Sequence, residues 1–269
     1  MSPTTATQTT LVRLRQLQWR SLLFWSAAPL VSFLVMVIFR KQIYLDVRQL
    51  MTLLHGGDLK SKQNTAKLAR FKKVLFESIK DLKSHDAQLR KEGKLLIAEL
   101  NPSNGSNFEY YPRGSKVIAV EAEPVFEKVF AARQHEFPFA NIKIERFLHA
   151  RPEALEGIED GSIDVVVGTL VCCSVDDLAV TMREIKRVLA TGGRYYFLEH
   201  EQYQDPSWGY SIQKAVNPIW RACNDGCNVS RRVGEVIEYV GFRCVAMKKY
   251  HPAEIPYLMR PLIVGYATK

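Results

Sequence analysis

Three stretches of the chain combine residue types and spacing that could do chemistry. The first is KLLIAELNPSNGSNF, residues 94–108. A loop that cradles a nucleotide-like cofactor wants Glu-x-Gly-x-Gly-x-Gly, because its backbone must turn sharply and approach the ligand closely. Glu99 begins that pattern and Gly105 ends it, while Asn101 and Ser103 stand in the two earlier glycine places. Asn tolerates a left-handed backbone better than most residues; Ser is small but carries a Cβ. An ordinary Asn/Pro/Ser/Gly turn fits the same residues. The second stretch is VIAVEAEP, where Glu121 ends an apolar run. An acid about 20 residues beyond such a loop accepts hydrogen bonds from ribose hydroxyls. The plain alternative is a surface carboxylate. The third is FLEH, residues 197–200. His200 there could take a proton from an incoming thiol or hydroxyl, or could be a packed structural histidine.

These residues need elements to hold them. Residues 160–200 read as a βαβ unit: an apolar strand led in by Asp-Gly-Ser, the helical stretch REIKRVL, a Gly pair, then a strand ending in Glu-His. The alternation begins at Lys94. Strands are expected at 94–100, 116–121, 142–147, 162–168, 193–199, 242–250 and 259–267. Helices are expected at 124–135, 152–157, 177–190, 208–222 and 230–240. Such alternation calls for an α/β fold, a mostly parallel seven-stranded sheet with helices on both faces and the last strand antiparallel. Ahead of it, Phe71, Val74, Leu75, Ile79 and Leu82 mark one apolar face of a helix expected over 64–91.

The net charge of +9 is unevenly spread. Residues 40–94 hold 14 basic and 6 acidic side chains, and residues 95–269 are nearly neutral. A nucleic-acid groove would put the basic excess on the catalytic-looking part, so that class is disfavoured. Beside the excess lies SLLFWSAAPLVSFLVMVIF, residues 21–39, with no charge over 19 positions. That length reaches the range of a membrane span, and Trp19, Trp25 and Tyr44 sit near its ends. Pro29 leaves open a helix that dips in and returns. A basic flank fits anionic lipid headgroups, and a solvated basic helix would look the same. The expected divisions are a polar N-terminus (1–20), a membrane anchor (21–39), juxtamembrane helices (40–93) and a catalytic-type domain (94–269). Five cysteines form no paired framework, so a reducing compartment is expected. Cys223 and Cys227 lack the further ligands a metal site needs, and no metal is expected.

The stretches SNGSNFEYYPRG, EDGSIDVVVGTLVCCSV, REIKRVLATGGRYYFLEH, NPIWRACNDGCNVSR and RPLIVGYATK together resemble the methyltransferase-like protein 7, or thiol S-methyltransferase, family. The resemblance runs over residues 64–269. It implies a Rossmann-like class I methyltransferase fold with S-adenosylmethionine as cofactor. It further implies a membrane-bound enzyme of the endoplasmic reticulum or lipid droplet that methylates small thiols, and the more basic C-terminal flank of the apolar stretch points to a catalytic domain facing the cytosol. Carried onto this chain, the cofactor would meet Glu99, Asn101, Ser103 and Gly105 in the first loop and Glu121 at its ribose. Glu153 and Ala154, with Leu155 over the ring, would meet its adenine. Gly168 and Thr169 would leave room at its sulfonium, beside Leu170. The family's glycines fall on Asn101 and Ser103 and its ribose aspartate on Glu121, which also admits a second reading: a catalytically degenerate domain kept as a membrane or lipid-droplet binding module.

Overall fold

The computed structural model describes residues 68–269 apart from Asp225, all within one compact unit, Leu59–Lys269. The expected anchor at 21–39 and the expected juxtamembrane stretch up to residue 67 lie outside the described residues. Among the described residues, no helix is long and apolar enough to cross a membrane.

Seven strands form one sheet: β1 (Leu96–Leu100), β2 (Lys116–Val120), β3 (Lys143–Leu148), β4 (Ile163–Thr169), β5 (Leu189–His200), β6 (Cys244–Tyr250) and β7 (Leu262–Thr268). Their order is β3-β2-β1-β4-β5-β7-β6. β7 runs antiparallel to both β5 and β6, and the other pairings are parallel. The order reverses between β1 and β4, so the loops after those two strands diverge and leave a crevice at their carboxyl ends. The central strands are apolar on both faces because helices cover both. One face carries Val166, Tyr195 and Phe197 against Met182, Ile185, Val233 and Ile237. These last four come from α4 (Leu178–Val188) and α6 (Val233–Tyr239). The other face carries Val165, Val167, Tyr196 and Leu198 against Leu68, Phe71, Leu75, Phe76 and Ile79.

Two expected helices differ. The stretch expected as one helix over 64–91 is broken: residues 68–75 are helical (α1), a 3-10 turn covers Glu77–Asp81, and a short α2 spans Ala87–Lys91. Asp164 causes the break. Its carboxylate accepts from Ser84 Oγ (2.6 Å), His85 N (2.8 Å) and Leu96 N (2.8 Å), so residues 82–85 are drawn out straight to reach it. The inward face of α1 also shifts. Val74 is 60% exposed, whereas Lys72 is buried among the apolar residues. At 152–157 there are turns, not a helix; Arg187 Nη2 from α4 donates to the Leu155 carbonyl and Nη1 to the Ile158 carbonyl, both at 2.9 Å. The remaining helices are α3 (Val125–Arg133) and α5 (Trp208–Cys223).

Candidate active site

The crevice after β1 and β4 is marked by its backbone. Among the described residues, three non-glycine residues have positive φ: Asn101 (52°), Ser103 (53°) and Leu170 (58°). All three follow β1 or β4. L-residues pay about 1–2 kcal/mol for this conformation, and strain held at one place in a fold points to a functional site. Asn101 and Ser103 keep the turn that glycines would make more easily. Gly105 is left-handed too (φ +69°), and there only glycine fits: a Cβ would lie 2.9 Å from ring atoms of Phe108 and Phe139.

Behind the loop is a buried polar cluster. Glu99 is 1% exposed and accepts from Asn107 Nδ2 (2.8 Å) and from the Tyr111 hydroxyl. Asn107 Nδ2 also donates to Thr169 Oγ1 (2.9 Å), tying the β1 loop to the end of β4. Burial pushes the Glu99 carboxyl up to about 7, partly offset by those two donors and by the Lys72 charge. Lys72 Nζ donates to Ser106 Oγ at 2.6 Å; burial lowers the lysine to about 8 against the pull of Glu99 and Glu109.

Glu121 is half-buried just past β2, its N–H donating to Leu148 O at 3.0 Å. Glu153 accepts from Asp176 N, and Ala154 N donates to Arg151 O at 2.9 Å. Leu155 is wholly buried in the core. Gly168 serves the core as well, since a Cβ there would lie 2.7 Å from the Tyr195 hydroxyl. Thr169 faces the opposite side, toward Asn107.

His200 ends β5 and is 4% exposed. Its Nδ1 lies 3.0 Å from Met259 O. A carbonyl only accepts, so Nδ1 carries the proton and Nε2 the lone pair. Burial lowers the ring to about 4, so it is neutral at pH 7. The adjacent Glu199, raised by burial to about 7, accepts from Val171 N (3.0 Å) and Cys172 N (3.1 Å) and so shapes the loop after Leu170. Cys173 and Cys227 pack together with Val229 and Trp220. Cys173 Sγ donates to Leu170 O (3.6 Å), and the two neighbouring thiols push each other's pKa apart, Cys173 up and Cys227 down to about 7. Among the described residues, no group of three or more His, Cys, Asp or Glu could hold a metal ion.

Asn107, Tyr111, Lys72, Ser106 and Glu199 were not picked out from sequence. One signal was present: Lys72 interrupts the apolar spacing of Leu68, Phe71, Leu75, Phe76 and Ile79.

The profile of a methyltransferase domain matches residues 99–197, the stretch from Glu99 through most of β5. The human thiol S-methyltransferase TMT1A is 34% identical over 206 residues, 75% of this chain and 80% of that one. Human TMT1B is 33% identical over 77% of this chain and 82% of its own. The chain belongs to the thiol S-methyltransferase family. It is an S-adenosylmethionine-dependent methyltransferase of class I. The fold agrees: a geranyl diphosphate methyltransferase solved with S-adenosylmethionine superposes with a TM-score of 0.52 at 13% identity, covering 73% of this chain and 83% of that one. The Streptomyces coelicolor geranyl diphosphate C-methyltransferase gives 0.52 at 13% identity, over 72% and 73%.

The residues present suit this cofactor. The loop holds a left-handed backbone at Asn101 and Ser103, so it makes a tight turn there although neither residue is glycine. Asn107 Oδ1 is buried with no hydrogen-bond partner, an acceptor beside the crevice. A cofactor whose amino-acid end carries both an ammonium and a carboxylate offers groups of the kind this cluster lacks.

Proposed function

We propose that the protein methylates the sulfur of a small lipophilic thiol at a membrane surface, with His200 receiving the thiol proton. The observation that carries the chemistry is the neutral imidazole at the end of β5, whose Nδ1–H is committed to Met259 O and whose Nε2 is therefore basic. It lies two residues past Leu198, the partner of Thr169 across β4 and β5. Bound S-adenosylmethionine supplies a methyl group already activated on a sulfonium, so the protein's part is placement, desolvation and removal of one proton. As the thiol sulfur bonds to carbon, its S–H becomes strongly acidic. A base of pKa about 4 suffices to take that proton. The new bond is sulfur to methyl, the broken one is sulfonium to methyl, and the proton ends on Nε2. The relatives named as thiol S-methyltransferases support the choice of sulfur.

Two features support lipid contact. The uncharged stretch 21–39 is long enough to sit in a bilayer. On α5, Trp208, Ile212, Ala215, Ile219 and Ala222 recur at helical spacing and are all exposed, with Trp208 at 84% and Ile219 at 70%. The helix has no acidic residue, and Lys214 and Arg221 flank the stripe, as in helices that lie on anionic lipid. An open cavity of about 440 Å³ is lined by Phe71, Val74, Tyr250 and Pro252 with Arg70 and His251, an apolar wall with a polar edge that suits a lipophilic substrate. Its Tyr250 shares a register row with Leu262 and His200. These features favour an anchored enzyme of the endoplasmic reticulum or lipid droplet.

The test is methyl transfer to a small alkyl thiol, followed by mass spectrometry of the thioether, with the matching alcohol and amine as controls. Thiol methylation that falls at least 10-fold in His200→Ala is expected. Equal rates on the alcohol would refute the sulfur assignment. Release of the full chain from membranes by carbonate washing would refute the membrane assignment.

A further inference from the structure

Lys72 is buried in a way that the fold alone does not explain. It is 3% exposed, and among the described residues no other lysine is buried. An ammonium has three donors; among the described residues one is used, on Ser106 Oγ at 2.6 Å. Glu99 and Glu109 act on it from farther away, and no described carboxylate stands within ion-pair distance. Glu99 is itself occupied by Asn107 and Tyr111. A buried cation left so poorly compensated is costly, and replacing it by an apolar side chain would be easy on packing grounds, since Phe71, Leu75 and Phe76 surround it in sequence and line the same core. The lysine reaches the β1 loop, between Gly105 and Asn107, where the strained backbone marks the cofactor crevice.

A buried cation with no ion-pair partner among the described residues calls for an anion. S-adenosylmethionine carries a sulfonium, an ammonium and one carboxylate, so the carboxylate is the one group that complements Lys72. We propose that Lys72, steadied by Ser106, is the residue that binds the carboxylate of the cofactor's amino-acid end. The proposal rests on the S-adenosylmethionine reading of the crevice and adds a binding residue contributed by α1, outside the matched methyltransferase segment.

Two ligands isolate the contact: S-adenosylhomocysteine, and its decarboxylated analogue, which keeps the nucleoside, thioether and ammonium. Their dissociation constants are measured calorimetrically on the full-length protein and on Lys72→Met. The wild-type protein is expected to prefer S-adenosylhomocysteine by about 10- to 100-fold, the range of a hydrogen bond to a charged group. Lys72→Met is expected to lose that preference, binding the analogue within about 2-fold of wild type. Lys72→Gln, which can still bond Ser106 without a charge, is expected to behave as Lys72→Met and serves if the methionine variant does not fold. A preference that survives both substitutions overturns the proposal. So does equal weakening of both ligands, which marks a structural role. A wild-type protein that binds the two ligands equally overturns the carboxylate contact while leaving the cofactor reading intact. Binding of neither ligand overturns that reading and the proposal with it.

Discussion

Glu99 gives the cluster a pH signature that can be worked through in numbers. Its carboxyl is wholly buried and titrates at about 7 in the folded protein, against an ordinary value of 4.5. In the unfolded chain it releases its proton at the ordinary value. Between these two points the folded state holds the extra proton, so stability falls as pH rises. The contribution is fully present below about pH 4.5 and is lost by about pH 7. At about 1.4 kcal/mol per pH unit, the loss is about 3 kcal/mol. For a domain of roughly 200 residues that is about 6–12 °C in Tm. Glu199 has the same sign and His200, lowered to about 4, the opposite one. Both persist in Glu99→Gln, so the comparison removes them. The assay is thermal unfolding of wild type and Glu99→Gln from pH 4.5 to 7.5. The wild-type Tm is expected to fall more steeply than that of the variant, and the difference between the two is expected to change by about 3 kcal/mol across the range. Parallel curves would refute the reasoning, because they would mean that Glu99 titrates alike in both states. Lys72, lowered to about 8, acts only above that window and leaves it undisturbed.

Gly105→Ala should lower stability by about 2–5 kcal/mol, combining left-handed strain with the clash against Phe108 and Phe139; chemical denaturation measures it. Ser103→Gly should do the reverse and raise Tm by about 1–4 °C, since the exposed side chain loses little and relief of strain outweighs the added freedom of the unfolded chain. Asp164→Ala should cost about 3 kcal/mol, because Ser84 Oγ, His85 N and Leu96 N lose a buried acceptor. Asp164 stands near the amino end of β4, away from the crevice, so the Kd for S-adenosylhomocysteine should change by less than about 2-fold.

The strand pattern was legible in the chain because period and punctuation are local. Every expected strand is present, shifted by a few residues at most of its ends. Where the expectations miss, a distant partner intervenes: Asp164 pulls residues 82–85 out of the expected helix, and Arg187 ties 155–158 into turns. The site divides the same way. Glu99, Gly105, Thr169 and His200 stand at strand ends that spacing alone marks. Asn101 and Ser103 look like losses as letters, yet the backbone holds both at positive φ, the region that glycine adopts most readily. Side-chain direction was out of reach. Leu155 packs in the core and a Cβ at Gly168 would meet Tyr195, contacts set by which face of the sheet or turn each residue takes. Asn107 and Tyr111 reach Glu99 from the loop after β1, Lys72 reaches Ser106 of that loop from α1, and only closure of α1 and the loop over the sheet brings them together. Local propensity and periodicity are properties of neighbouring residues, so the chain announces its elements and its family. Burial, charge compensation and the proton on His200 depend on groups far apart in sequence, and they come into being only when the sheet and its helices close.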